Sequence, residues 1–150
     1  MDQKKIKSYL LELNRQDKRL GGLYRRAAAS LGMSDCMMWI FYMLLLEEHA
    51  MTQQELGEYL QFPKQTINSS VGALCRQGYV ELRPIPGTRN KKAIFLTEVG
   101  KRFAGEQVGR AIEAEGRVIC RMSAEGMDRF MELYKKYIDL LQEEFEREGV

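Results

Sequence analysis

Apolar residues follow a helical period through the first third of the chain. In residues 4–29 they lie three, four or seven positions apart, which predicts one long helix with a single apolar stripe. Residues 35–48 follow the N-cap candidate Ser34 and are apolar almost all round. They predict a second helix that is covered on most sides and therefore central in the fold. The stripe of the first helix consists of Ile6, Leu10, Leu13, Leu20 and Tyr24.

Two shorter helices come next, separated by a three-residue break. Thr52 and Glu55 have the spacing of a capping box, in which side chains and backbone bond reciprocally, and they predict a helix over 53–60. Pro63 suits the first turn of the next helix, over 64–77, because the N–H that proline lacks is unpaired there. The pair predicts a helix-turn-helix. Its second helix is anchored by Ile67, Val71 and Leu74.

After residue 78 the apolar period changes to two, which is typical of strands. Residues 79–83 and 92–96 predict two short strands, and the turn-rich, basic residues 84–91 predict a hairpin with a charged tip. A basic hairpin that follows a helix-turn-helix has the element order of a winged helix-turn-helix. The sequence therefore predicts a mainly α fold with a small β-hairpin wing.

The last third of the chain returns to a helical period. Thr97 is an N-cap candidate for a helix over 98–121, which contains three glycines and is therefore expected to be bent or held by its neighbours. Ser123 precedes a last helix whose apolar stripe is wider than one small domain buries, so we expect a second chain to cover it. The glycines are Gly105, Gly109 and Gly116, and the stripe consists of Met127, Phe130, Met131, Tyr134, Tyr137, Ile138, Leu141 and Phe145.

Composition is that of an ordinary globular protein with one domain, residues 1–150. Apolar residues make up 45% of the chain, which argues against disorder. No run approaches the roughly 18 apolar residues of a membrane-spanning helix, and no signal-peptide region follows the basic N-terminus, so we expect a cytoplasmic protein without a membrane partner. Cys36, Cys75 and Cys120 lie far apart, which indicates neither a disulfide framework nor a metal or other cofactor.

Charge is distributed unevenly along the chain, although the net charge is only +2. Residues 63–92 carry six basic groups and one acidic group, whereas residues 31–62 carry no basic and five acidic groups. Residues 93–122 are almost balanced, with five basic and four acidic groups. A basic segment of this kind is the pattern that a local phosphate-binding surface leaves in a sequence.

The outward face of the helix over 64–77 combines short polar side chains, small residues and cations. Asn68 or Gln65 can form paired hydrogen bonds with adenine, whereas Lys64 and Arg76 suit phosphate. The hairpin tip would lie along the minor groove or the flanking backbone. A polar helix face is most often simply solvated, so the prediction of double-stranded DNA binding depends on the combination of this face with the basic hairpin. The outward residues are Lys64, Gln65, Asn68, Ser69, Gly72, Cys75 and Arg76, and the basic tip residues are Arg89, Lys91 and Lys92.

Four short elements of this region occur together at the spacing of one family. They are Thr-Gln-Gln-Glu-Leu at 52–56, Lys-Gln-Thr-Ile at 64–67, Leu-Cys-Arg-Gln-Gly-Tyr-Val at 74–80 and Leu-Thr-Glu-Val-Gly at 96–100. Over about residues 34–105 the chain resembles the MarR family of transcriptional regulators. The resemblance implies a homodimer whose dimerisation helices, in residues 1–32 and 98–150, interlock. Two winged helix-turn-helix regions, residues 34–97 of each chain, are then left to grip a pseudo-palindromic operator.

The resemblance also implies a repressor that a small apolar or aromatic effector releases from DNA. It places the effector pocket beside the helix over 35–48. Most apolar residues of that helix are better explained as core, but Trp39 and Tyr42 carry hydrogen-bonding tips and are the best candidates for partial exposure to an effector. The positions that the family uses for DNA contact correspond to Lys64, Gln65, Thr66, Asn68 and Ser69.

The wing departs from the family pattern. MarR-family wings usually carry Asp-x-Arg, in which the aspartate braces an arginine that reaches the minor groove. Here the tip is Gly-Thr-Arg-Asn at 87–90, without an aspartate. Depending on the loop length, the arginine position is occupied by Arg89 or Asn90, and we favour Arg89. Wing affinity would then be weaker, or would depend on Lys91 and Lys92.

Other classes of function are less well supported by the residues. Cys36 lies near a helix N-terminus, where the helix dipole lowers a thiol pKa, so a redox-sensing role is a further hypothesis, although a buried inert cysteine is commoner. No nucleophile-base pair, carboxylate pair or phosphate-binding glycine loop indicates an enzyme. The alternatives that stay open are a winged-helix module for protein or RNA partners, and a ligand or redox sensor with weak DNA binding.

Overall fold

The computed structural model describes all residues from 1 to 150. Seven helices and a three-stranded antiparallel sheet form a mainly helical fold with a small wing, which confirms the predicted fold class. In chain order the elements are α1 (Gln3–Ser30), α2 (Asp35–Leu46), β1 (Met51–Thr52), α3 (Gln53–Leu60), α4 (Lys64–Arg76), β2 (Val80–Pro84), β3 (Lys92–Leu96), α5 (Glu98–Gln107), α6 (Gly109–Arg121) and α7 (Ala124–Glu148).

Side-chain caps begin several helices at the residues that the sequence indicated. Ser34, Thr97 and Ser123 each accept a hydrogen bond from the backbone N–H three residues further on. Thr52 and Glu55 form the predicted capping box: Thr52 N donates to Glu55 Oε2 at 2.6 Å, and Glu55 N donates to Thr52 Oγ1 at 3.1 Å. These local bonds satisfy N–H groups that have no partner within their helices, which is why the starts were visible in the sequence.

The sheet contains one strand that the apolar period did not predict. Strand β1 is only two residues long and pairs with β3, so that the strand order is β1-β3-β2. Ile94, in the central strand, lies opposite Met51 on one side and Leu82 on the other. Two residues are too few to show a period. β1 forms because β3 has a second edge that is free to pair, which only the folded arrangement reveals.

The helix predicted over 98–121 is divided into α5 and α6. Val108 separates them, its side chain is fully buried, and its N–H donates to Ala104 O at 2.8 Å. Gly105 and Gly109 flank this anchored residue, and glycine lowers helix propensity. The sequence predicted one helix that is bent or held by its neighbours, and the structure interrupts it at Val108, which a core contact holds between two glycines.

The chain divides into two compact units, Met1–Ala111 and Ile112–Val150. In the first unit α2 is central, as predicted, because it packs against α1, α3, α4 and α5. Met38, Ile40 and Phe41 of α2 are at most 1% exposed. Helix α5 also packs against β3, so the start of the predicted C-terminal dimerisation segment lies with the winged helix-turn-helix region rather than apart from it.

Helices α1 and α7 leave most of their apolar side chains exposed. α1 has one buried residue, Ala28, and α7 has none. Eight large apolar side chains of α7, from Phe130 to Phe145, are each between 38% and 51% exposed. No single helix is long and apolar enough to cross a membrane; α1 and α2 meet the length and composition criteria only as a pair, bent by 93°.

Candidate nucleic-acid interface

Helix α4 has one face in the core and one face in solvent. Ile67, Val71 and Leu74 are at most 1% exposed, and Ser70 is also buried beside them. The helix begins after Pro63, which is its N-cap residue rather than its first helical residue and supplies no side-chain cap. The first backbone N–H groups of α4 thus have no side-chain partner. Five of the predicted contact residues of this helix are exposed, namely Lys64, Gln65, Asn68, Ser69 and Arg76, and Thr66 is half-buried.

Two side chains on the exposed face of α4 lie close to the helix backbone. Ser69 Oγ lies 2.9 Å from Gln65 O and 3.2 Å from Thr66 O, so its proton is directed into the helix and the hydroxyl presents only lone pairs outward. The Arg76 guanidinium lies along the helix over Gly72, where an added Cβ would be 3.4 Å from Nη1. The face therefore presents a hydroxyl acceptor that the helix holds in place and a cation over Gly72.

An open groove of about 750 Å³ lies between α3 and the start of α4. Gln61, in the turn, has a left-handed backbone with φ of 55°, and the chain passes from α3 to α4 within three residues. Three glutamine amides border this groove and extend the polar surface of α4, and none of them was singled out from the sequence. Their signal was a concentration of Gln around a short interhelical turn. The lining residues are Gln53, Gln54, Gly57, Glu58, Gln61, Phe62, Pro63, Lys64 and Asn68.

The tip of the wing is closed by a tight turn. Ile85 O accepts hydrogen bonds from Thr88 N at 3.2 Å and from Thr88 Oγ1 at 2.8 Å, and Gly87 between them has φ of +77°. Proline followed by a glycine with positive φ is typical of a type II turn. Arg89, Lys91 and Lys92, the predicted wing contacts, are all exposed.

Lys91 also affects α3. Hydrogen bonds from Thr52 are the main reason why the pKa of Glu55 lies below its usual range, and the charges of His49 and Lys91 add to this shift. Lys91 is thus close enough to the start of α3 to interact with a carboxylate there.

Thr97 and Gly100 tie the wing to α5. Thr97 N donates to Tyr79 O at 3.0 Å, Thr97 Oγ1 donates to Gly78 O at 2.6 Å, and the same oxygen accepts from Gly100 N at 3.0 Å. A Cβ on Gly100 would lie 1.8 Å from Tyr79 O, so only glycine allows this approach. The Tyr79 ring stacks on Phe103 with 4.4 Å between centroids. The Leu-Thr-Glu-Val-Gly element at 96–100 is therefore a structural connection that sets where the wing begins.

The predicted effector residues lie together, away from the groove at α3. Trp39 and Tyr42 are half-buried on α2, and their rings are 5.1 Å apart. The Tyr24 ring of α1 lies 4.6 Å from that of Trp39. The three rings form a partly exposed aromatic cluster between the two helices. Tyr24 was assigned to the stripe of the first helix from the sequence, and its contact with Trp39 depends on how α1 packs on α2.

The environment of Cys36 differs from the one expected from its sequence position. Its side chain is 3% exposed, and its Sγ lies 4.0 Å from Thr66 O of α4. Burial, the largest effect, raises the pKa of the Cys36 thiol, and the charge of Asp35 adds to the rise against a lowering hydrogen bond from Ser70. The expected lowering of this pKa by the helix N-terminus is therefore wrong. Such an environment favours the thiol over the reactive thiolate.

The other two cysteines differ in exposure. Burial raises the pKa of the half-buried Cys75 thiol, whereas Cys120 is exposed. No group of three or more His, Cys, Asp or Glu side chains is arranged to hold a metal ion.

Comparison with known proteins shows which solved structures share this fold. The sequence model of the MarR family matches residues 37–89, which contain α3, α4, β2 and the first part of the hairpin loop. No curated protein sequence matches the chain. Among solved structures it is similar to NMB1585, a MarR family regulator from Neisseria meningitidis, with a TM-score of 0.80 and 21% identity, covering 93% of this chain and 97% of that one.

Two further similar structures contain bound molecules. One is a mutant of S. aureus MepR bound to an oligodeoxyribonucleotide, with a TM-score of 0.53 and 17% identity, covering 89% of this chain and 96% of that one. The other is the PcaV transcriptional regulator from Streptomyces coelicolor in complex with its natural ligand, with a TM-score of 0.61 and 19% identity, covering 84% of this chain and 91% of that one. At these identities the likeness shows that the chains share a fold.

Proposed function

Because residues 37–89 match the MarR family and the whole chain has the fold of MarR-family regulators, we propose that this protein is a DNA-binding transcriptional regulator and not an enzyme. It binds double-stranded DNA sequence-specifically as a homodimer and acts as a repressor that a small-molecule effector releases. The observation that carries the proposal is α4, a helix with a fully buried apolar face and an exposed face made of amides, a hydroxyl and cations.

Helix α4 is the proposed reading helix. A single α-helix fits the major groove, and side-chain amides match the donor and acceptor pattern of adenine there. Asn68 and Gln65 therefore read bases, Thr66 accepts or donates hydrogen bonds at the same surface, and Ser69 accepts them. Lys64 and Arg76 bind phosphate and hold the helix in register. The wing cations Arg89, Lys91 and Lys92 contact the minor groove or the flanking backbone.

Residues 1–32 and 98–150 supply the proposed dimer interface, and residues 34–97 the DNA-binding region. The exposed apolar side chains of α1 and α7 support this assignment, since large exposed apolar patches mark interaction sites. Their charges are complementary: residues 1–30 carry eight basic and three acidic groups, and residues 123–150 carry four basic and eight acidic groups. The last helix of one subunit packs on the first helix of its partner with C₂ symmetry.

The effector, a small apolar or aromatic molecule, contacts Trp39 and Tyr42 beside α2. Their half-burial in an aromatic cluster supports this proposal, as does the natural ligand in PcaV. α2 packs directly on α4, so a ligand that shifts α2 can change the spacing of the two reading helices in a dimer. A tenfold loss of DNA affinity requires only about 1.4 kcal/mol of preference for the wrongly spaced state.

Selection of bound duplexes from a random double-stranded pool tests the DNA-binding proposal. The purified protein is expected to enrich a pseudo-palindrome whose half-sites are about one helical turn, ~10 bp, apart. A variant in which Asn68 and Gln65 are both alanine, whose side chains are exposed and do not support the core, is the matched control and should enrich no palindrome. Absence of enrichment by the wild-type protein would contradict the proposal and direct attention to protein partners.

A further inference from the structure

The basic segment 63–92 contains one acidic residue, Glu81, and this residue binds an arginine of the same segment. Glu81 Oε1 accepts a hydrogen bond from Arg83 Nε at 2.8 Å and a second bond from Arg83 Nη2. The carboxylate thus occupies the two-pronged guanidinium edge that suits a phosphate equally well. Both side chains are largely exposed, at 45% for Glu81 and 58% for Arg83, so solvent and other anions have access to the pair.

The aromatic ring of Phe95, on the neighbouring strand, packs against the face of the same guanidinium. Phe95 of β3 lies directly opposite Glu81 of β2, and Arg83 lies two residues further along β2, so the three side chains share one face of the hairpin. The Arg83 guanidinium carbon is 4.6 Å from the centroid of the Phe95 ring. Cation–π contact of this kind fixes the plane of the guanidinium without using its N–H donors.

We propose that Arg83 is a phosphate-binding residue of the wing, positioned by Phe95, and that Glu81 is a built-in competitor for the same guanidinium. This inference rests on the proposed DNA-binding function and adds a residue to it. An exposed ion pair is weak, so a DNA phosphate can displace the carboxylate. The displaced Glu81 stays next to the phosphate and weakens binding to any duplex, whatever its sequence.

Titration of labelled duplexes with four proteins tests the proposal. The proteins are the wild type, Glu81→Gln, Arg83→Gln and the double variant, and the probes are the selected operator and a shuffled duplex of the same composition, each titrated at several salt concentrations. Arg83→Gln should weaken both duplexes about two- to fivefold, and Glu81→Gln should strengthen both by a similar factor. Loss of one phosphate contact per subunit should also reduce the salt slope by about one per subunit.

The double variant separates competition from general electrostatics. If Glu81 acts through Arg83, Glu81→Gln should strengthen binding by much less when Arg83 is already glutamine. An equal gain in both backgrounds would overturn the proposal, and so would an Arg83→Gln variant with unchanged affinity and salt slope. Glu98→Gln is the control, because Glu98 forms a similar exposed pair with Lys101 at 2.8 Å on α5.

The failure of this inference can be distinguished from failure of the proposed function. If the wild-type protein binds neither duplex, the DNA-binding proposal fails and this inference fails with it. If the wild-type protein binds the operator but the variants do not differ from it, only the role of Arg83 and Glu81 is overturned. Circular dichroism and sizing of each variant verify that these exposed substitutions leave the fold and the oligomeric state intact.

Discussion

In α4 the apolar residues Ile67, Val71 and Leu74 are at most 1% exposed, whereas eight large apolar side chains of α7, from Phe130 to Phe145, are between 38% and 51% exposed. Both helices are amphipathic, but α4 buries its apolar face within the chain and α7 buries none of its residues. The outward face of α4 is polar and belongs to a basic segment, and the outward face of α7 contains much of its apolar surface. The exposed surface of α4 therefore suits a polar, charged partner, and that of α7 suits an apolar one.

The difference between the two regions indicates what each surface binds. The winged helix-turn-helix region buries its apolar side chains within one chain and leaves polar groups and cations outside, which suits nucleic acid. The terminal helices leave apolar side chains outside, which suits a second protein surface. Substitutions in the first region should therefore change chain stability or DNA binding, and substitutions on α7 should change association.

Gly100→Ala should have the largest effect, because it introduces a steric clash inside the winged helix-turn-helix region. The new Cβ would lie 1.8 Å from Tyr79 O, so the start of the wing has to separate from α5. We expect the free energy of unfolding to fall by about 3 kcal/mol or more. Urea denaturation followed by circular dichroism measures this change.

Gly105→Ala is the matched control on the same helix. A Cβ at Gly105 meets no atom within 4 Å, so alanine should be neutral or should stabilise the helix by up to ~1 kcal/mol. If the two variants are equally stable, the close contact between the wing and α5 does not determine stability.

Ile138→Asp tests whether the exposed apolar side chains of α7 bind a second protein chain. Ile138 is 43% exposed in the single chain, so a charge there should barely disturb the isolated fold, but it should be costly inside a dimer interface. We expect the dimer to weaken by about 2 kcal/mol or more, roughly 30-fold in dissociation constant, as measured by sedimentation equilibrium.

Lys136→Asp is the control for this prediction. Lys136 lies two residues from Tyr134 and Ile138, and therefore on the other side of α7, so the dimer should be retained. A wild-type protein that sediments as a monomer, or equal weakening by both substitutions, would contradict the proposed interface.

Asn68→Ala tests whether base reading by α4 can be separated from phosphate binding by the wing. Loss of a paired hydrogen bond with a base should cost about 1–3 kcal/mol at one position of the operator, whereas Arg89→Ala should weaken all duplexes more evenly. Competition with singly substituted operators measures both effects. Similar losses on every sequence for both variants would refute this division between base reading and phosphate binding.

Thr52→Ala should have the smallest effect and one that depends on pH. Loss of the N-cap of α3 should cost about 1 kcal/mol at neutral pH. Because hydrogen bonds from Thr52 hold the pKa of Glu55 below its usual range, the capping box stabilises the fold above the ordinary carboxyl pKa and loses this contribution as pH falls through the lowered one. The backbone N–H of residue 52, which contributes most to the lowered pKa, is kept in the variant, and only the contribution of the Thr52 side chain is lost. The difference in unfolding free energy between variant and wild type should therefore shrink in acid by that side-chain part. A difference that is constant from neutral to strongly acidic pH would contradict this account.

Most element boundaries could be predicted from the sequence because they depend on local interactions. The caps at Ser34, Thr52, Thr97 and Ser123 bond to N–H groups three residues away, and the buried stripe of α4 follows directly from helical spacing. The exposed positions of the proposed DNA contacts follow from the same geometry. The role of these residues in binding DNA stays a prediction.

Features that depend on distant residues were missed or mistaken. The pKa of Cys36 is raised rather than lowered because its thiol is buried, and this burial depends on the packing of α4 on α2. The break at Val108 and the two-residue strand β1 likewise depend on contacts with the core and with β3. The contact of the Arg83–Glu81 pair with Phe95 could not be predicted without knowing the register of the hairpin.

Sequence periodicity and capping placed the helices and the two hairpin strands of the winged region and showed which face of each is apolar, because both act over a few residues. The folded chain was needed to explain why residue 100 is a glycine, how Tyr24 contacts Trp39 near Tyr42, and how exposed the apolar side chains of α7 are. The physical reason is the same in each case. Steric exclusion, ring contacts and burial depend on which segments meet in space, and that information is not present in any short stretch of the chain.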